Sequence, residues 1–73
     1  MLKIKDDVDL KELEKFGLKH KKAEDDFEIY EWISETTDRF EYVEVYAWNR
    51  EITVGNANDV LFNIIQAGLV EKI

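Results

Sequence analysis

Apolar residues recur along this chain at two spacings, and each spacing predicts an element. Leu2 and Ile4 alternate with Lys3 and Lys5, the pattern of a short edge strand with its charges outward. Asp9 stands where it can cap a helix, Glu12 where it can reach back to that cap, and Val8 and Leu13 at the positions of a hydrophobic staple. Leu10 and Leu13 then form the apolar stripe of a helix of about two turns. Gly17, following Phe16, can take the left-handed conformation while Leu18 folds back on Leu13, which is a Schellman stop. Lys19 to Asp26 follows as a polar connection.

Beyond it the period falls to two. Phe27 to Ile33 and Phe40 to Trp48 are rich in aromatic and β-branched residues and predict two strands, separated by a turn over Ser34 to Arg39. Asn49-Arg50 predicts a two-residue primed turn into a third strand, Glu51 to Val54, with Asn49 tolerating positive φ. That turn pairs Trp48 with Glu51, Ala47 with Ile52, Tyr46 with Thr53 and Val45 with Val54. One face then carries Val43, Val45, Ala47, Ile52 and Val54, and the other Tyr42, Glu44, Tyr46, Trp48, Glu51 and Thr53. Asn58 and Asp59 supply the cap and first-turn charge of a second helix running to about Ala67, with Val60, Leu61, Ile64 and Ile65 on one side and Gly68-Leu69 as its stop. Val70 to Ile73 forms an extended tail placed to pair with Leu2 to Lys5. The expected fold is α+β: a small antiparallel three-stranded meander with two short helices, in the order (β)-α-β-β-β-α-(β), as one domain over residues 1–73.

Composition changes this picture in three ways. Seventy-three residues without cysteine allow one thin core and no covalent staple, so caps and turns carry unusual weight. A hydrophobic fraction of 45%, including nine aromatics, is enough to fold the chain although 37% of it is charged. No apolar run approaches the roughly 20 residues that span a bilayer, and the N-terminal residues lack the apolar stretch of a signal peptide, so no membrane role and a cytoplasmic location are expected. The net charge of −7 is uneven: Met1 to Lys22 holds seven lysines against five acids, whereas Ala23 to Ile73 holds three basic residues against twelve acids. A phosphate backbone would be repelled by the latter region, which argues against nucleic acid as a partner.

Chemistry-bearing side chains are sparse. His20, the single histidine, lies among Lys19, Lys21 and Lys22, where neighbouring positive charge repels a cation, and is expected as a solvated loop residue. Ser34, the single serine, lacks the glycine-flanked elbow of a nucleophile and suits a turn. Asp6, Asp7, Asp9 and Glu12 lack the glycine and distal glutamate of a calcium loop, and helix capping accounts better for the last two. Neither an enzyme, a cofactor, a metal nor a small-molecule substrate is expected. The most informative feature is a sheet face on which Tyr30, Trp32, Tyr42, Tyr46 and Trp48 are expected to cluster among Glu28, Glu31 and Glu44. If both helices pack on the aliphatic face, these rings form a surface for self-association or a protein partner. Helices straddling the sheet edge, or the tail and long loop lying over the rings, would cover it instead.

The stretch Leu2-Lys3-Ile4-Lys5-Asp6-Asp7-Val8-Asp9-Leu10-Lys11-Glu12-Leu13-Glu14-Lys15-Phe16-Gly17-Leu18, with Leu61-Phe62 through Gly68-Leu69-Val70-Glu71-Lys72-Ile73, resembles small proteins of unknown function from Gram-positive bacteria and their prophages. The likeness covers the two ends, about half the chain, and rests on caps and stops. It implies an intracellular bacterial or phage setting and transfers no catalytic residue. The leading expectation is a non-enzymatic interaction module, as a homodimer or with another protein. The alternative is an acidic phage-type decoy that mimics nucleic acid through the region after Lys22.

Overall fold

Asp9, Gly17 and the three-residue spacing of Leu10, Leu13 and Phe16 set the first helical segment of the computed structural model, which describes residues 1–22, 27–35 and 38–73. Asp9 accepts a hydrogen bond from the Lys11 amide at 3.0 Å. Gly17 at φ 90° donates to the Glu14 carbonyl while Leu18 donates to Leu13, so the Schellman stop forms as expected. Glu12 does not reach back to the cap and instead pairs with Lys15 at 2.6 Å. The segment, Leu10–Phe16, is a 3₁₀ helix rather than an α-helix. Three residues per turn stack Leu10, Leu13 and Phe16 in one line, which seven residues of α-helix would not do.

Two antiparallel sheets flank it. Strand β1 (Leu2–Ile4) pairs with β6 (Val70–Lys72), opposing Ile4 to Val70 and Leu2 to Lys72, so the expected pairing of the two ends is present. The main sheet has four strands in meander order: β2 (Lys19–Lys22), β3 (Glu28–Glu35), β4 (Phe40–Tyr46) and β5 (Ile52–Gly55). The expected three-stranded meander therefore gains a strand. Lys19 to Lys22, read from sequence as a polar connection, pairs with β3 through Lys19–Glu31 and Lys21–Ile29. Four consecutive exposed basic residues carry no strand signature, but they suit an outermost edge, where charge discourages further pairing. The rest of that connection, residues 23–26, and residues 36–37 of the expected β3–β4 turn lie outside the described residues. Ser34 and Glu35, assigned to the turn from sequence, end β3 instead.

The hairpin from β4 to β5 also differs. Its loop holds four residues, Ala47 to Arg50: Tyr46 and Glu51 close it at 3.2 Å, and Arg50, not Asn49, takes positive φ at 64°. Asn49 instead accepts the Glu51 amide on its side-chain oxygen. Val45 therefore faces Ile52 and Val43 faces Val54. The register moves by an even step, so each strand keeps its predicted face.

Helix α1 (Asn58–Gln66) begins after Ala57, which makes no side-chain cap; Asn58 and Asp59 lie in its first turn rather than Asn58 capping it. Gly68 at φ 77° ends it. Leu13 from the 3₁₀ helix and Ile64 from α1 are fully buried with Ile4, Leu18, Val43 and Val45, and Tyr30, Ile52 and Ala57 complete this core. Both helical segments thus cover one and the same face of the sheet.

Candidate functional site

The uncovered face is built row by row from the strand register, because residues directly opposed across strands share a side. Across β2, β3 and β4 the first row reads Lys21, Ile29, Tyr46, and the hydrogen bond between Tyr46 and Glu51 extends it to Glu51. The second reads Lys19, Glu31, Glu44, Thr53. The third places Ile33 beside Tyr42, whose ring lies over the backbone of Gly55, and the fourth sets Glu35 beside Phe40. Phe40 and Tyr42 stack along β4 with ring centroids 5.6 Å apart. Ile33 is 46% and Phe40 49% exposed, while Ile29, Tyr42 and Tyr46 are half-buried by their neighbours.

The five aromatics expected to cluster do not share this face. Tyr42 and Tyr46 lie on it. Tyr30 opposes Val45 and Trp32 opposes Val43, which puts both on the helix-covered side. Tyr30 is buried, and its phenol is pushed above the usual tyrosine value, first by burial and then by the nearby carboxylates of Glu14, Asp9 and Glu28. Trp32 packs at the core margin, so close to Gly17 that a Cβ there would lie 3.2 Å from its ring. Trp48 sits in the β4–β5 loop, 72% exposed. In their place the face gains Ile29, Ile33 and Phe40. The alternation of β3 carried this signal, but both of its sides mix large apolar residues with acids, so periodicity alone does not say which turns inward. Burying Tyr30 and Trp32 removes more apolar surface from water than burying Ile29 and Ile33.

Charge is arranged across the face. Lys21 pairs with Glu31, whose side chain is only 10% exposed despite its place on the uncovered side. The basic residues Lys19 and Lys21 lie along one margin, and Glu44 and Glu51 lie toward the other. At the far edge, Lys3 bonds Asp6 at 2.9 Å and lies 3.7 Å from Glu71; these partners hold the Lys3 ammonium above its usual range, and Lys3 in turn holds the Asp6 carboxyl below its own.

Two open grooves flank Trp32, one on the helix side and one that also takes in residues of the uncovered face. One, of about 450 Å³, is lined by Ser34, Arg39, Glu41, Asn56 and Val60; the other, of about 420 Å³, by Gly17, Lys19, Lys21, Glu31 and Ile33. His20 is a β2 residue rather than a loop residue, stacking on Tyr30 at 4.9 Å with its Nε2 3.4 Å from Glu28. Among the described residues, no three His, Asp or Glu side chains are grouped to hold a metal ion, and no helix is long and apolar enough to cross a membrane. Compared with protein-family models, curated proteins and solved structures, the chain has no significant match.

Proposed function

We propose that this protein is a non-enzymatic interaction module whose working surface is the uncovered sheet face, centred on Ile29, Ile33, Phe40, Tyr42 and Tyr46. The observation that carries this reading is the packing of both helical segments on the opposite face, which leaves two apolar groups uncovered, Ile29 with Tyr46 and Ile33 with Tyr42 and Phe40, on either side of the charged row Lys19, Glu31 and Glu44. Apolar groups set among charged residues on one uncovered face differ from hydrophobics scattered singly over a surface. The nucleic-acid-mimic reading has less support: among the described acids after Lys22, Glu31, Glu41 and Glu71 are each paired with a lysine or arginine.

Site-specific photocrosslinking in the native cells tests the reading. With p-benzoylphenylalanine in place of Ile33, crosslinked adducts are expected, and with it in place of Gln66, on the exposed side of α1, none. Equal yields from the two positions, or none from Ile33, would reject the sheet face as the working surface.

A further inference from the structure

Resting on that reading, we infer that the occupant of the uncovered face is another protein, which sets an arginine flanked by apolar residues against Glu44. Glu44 lies in the middle of β4, between Tyr42 and Tyr46 on the same side of the strand and about 7 Å from each. Its row is the charged one that separates the two uncovered apolar groups. The two acids of that row differ. Glu31 is nearly buried and is paired with Lys21. Glu44 is half-buried, has uncharged Thr53 on its other side, and has no ion-pair partner among the described residues. Lys19, at the other end of the row, is two strand spacings away, about 9.5 Å.

Any occupant that closes the two apolar groups from water also covers this carboxylate, and a carboxylate that loses its water without gaining a partner opposes binding strongly. A second copy laid face to face with its rows in register brings Glu31 or Glu44 over the same carboxylate, and nucleic acid brings phosphates. The position calls for a cation instead. Arginine suits it better than lysine. Its planar guanidinium bonds a carboxylate through two parallel N–H groups, is the more weakly hydrated cation, and lies flat against tyrosine rings; two such rings border Glu44 along the strand. The apolar groups fix what accompanies it. Ile29 with Tyr46 lies on one side of the Glu44 row and Ile33 with Tyr42 on the other, so apolar side chains of the partner fall on both sides of its arginine. In an extended segment laid along β4 the rows recur at the segment's own two-residue step, which gives the order apolar, any residue, arginine, any residue, apolar.

Crosslinking from position 33 in the native cells, with the adducts digested and sequenced by mass spectrometry, tests this. The captured segment should hold an arginine within about four residues of the crosslinked one, the reach of one row in either an extended or a helical segment. Glu44→Arg should cut the adduct yield at position 33 by at least about tenfold, and Glu44→Gln should cut it by less, because it removes the attraction without adding a repulsion. Glu14→Arg, the same change of charge at an exposed position on the 3₁₀ helix, should leave the yield unchanged. An undiminished yield with Glu44→Arg, an equal loss with Glu14→Arg, a captured segment without arginine, or capture of a second copy of this chain would overturn the inference and leave the sheet face standing as the working surface. Absence of adducts from position 33 with Glu44 in place would reject that surface itself, and the inference with it. The captured segment is read with Glu44 intact, so the test holds even if Glu44→Arg does not fold.

Discussion

Glu31 stands directly opposite Glu44 on neighbouring strands, and its side chain is nearly buried. Two opposed carboxylates at that spacing repel, and the Lys21 ammonium between β2 and β3 offsets the repulsion. Lys21→Ala is therefore expected to destabilise the fold by about 1 kcal/mol, discounted because the lysine itself is more than half exposed, and Glu44→Gln in that background should recover part of the loss. Urea midpoints of the three chains measure both effects. Tyr30 gives a second prediction at this scale. Its folded-state pKa is raised, so the fold favours the neutral phenol; that contribution is complete below the ordinary tyrosine value and is lost as pH rises through the raised one. Stability should fall above about pH 10, and Tyr30→Phe should shallow that alkaline limb without altering the acid side. The acid side belongs in part to Asp6, whose lowered pKa gives a contribution present above the ordinary carboxylate value and lost as pH falls through the lowered one.

Among the elements, the β4–β5 loop does more than reverse the chain. Arg50 Nη1 donates to the carbonyls of Lys5 at 2.8 Å and Val8 at 2.6 Å, while the Arg50 carbonyl accepts from the Ile4 amide, so one loop residue fastens β1 and the approach to the 3₁₀ helix. Arg50→Ala removes the side-chain donor to the Val8 carbonyl and leaves the Lys5 carbonyl with the Val8 amide alone, and should cost about 1–3 kcal/mol, with faster hydrogen exchange at the Ile4 and Lys5 amides. Gly55→Ala brings a Cβ to 2.1 Å from Tyr42 Cε1, and the ring must swing away; a loss of about 1–3 kcal/mol in thermal or urea unfolding is expected. The caps and stops around Asp9, Gly17 and Gly68 were legible in the sequence because each depends on residues within one turn of the chain. The β4–β5 faces were legible because alternation survives an even change of register. The relation of β3 to β4 was not: a change of one residue in that pairing exchanges Tyr30 and Trp32 with Ile29 and Ile33, and the connecting residues fix no turn length. Strand β2 was hidden for a different reason. Four basic residues become a strand only because β3 offers them an edge, and that is a long-range fact.

At the scale of the molecule, one thin core holds both helical segments to one side of a four-stranded sheet, and the short β1–β6 ribbon binds the two ends of the sequence to it. The ribbon is continuous to its tips: the Ile73 amide donates to the Met1 carbonyl at 3.1 Å. The proposed interaction surface followed only indirectly from the sequence, since an exposed sheet face with aromatic residues could be anticipated but its membership depended on the pairing of two strands. The closed ribbon has a topological consequence. A peptide bond or short linker between Met1 and Ile73 would convert the chain into a ring without bending any element of the fold. Ring closure removes entropy from the unfolded chain alone, so the cyclic protein should be more stable by up to about 4 kcal/mol, read as a higher melting temperature than that of the same sequence cut open at the linker. It would also present no free end to an exopeptidase.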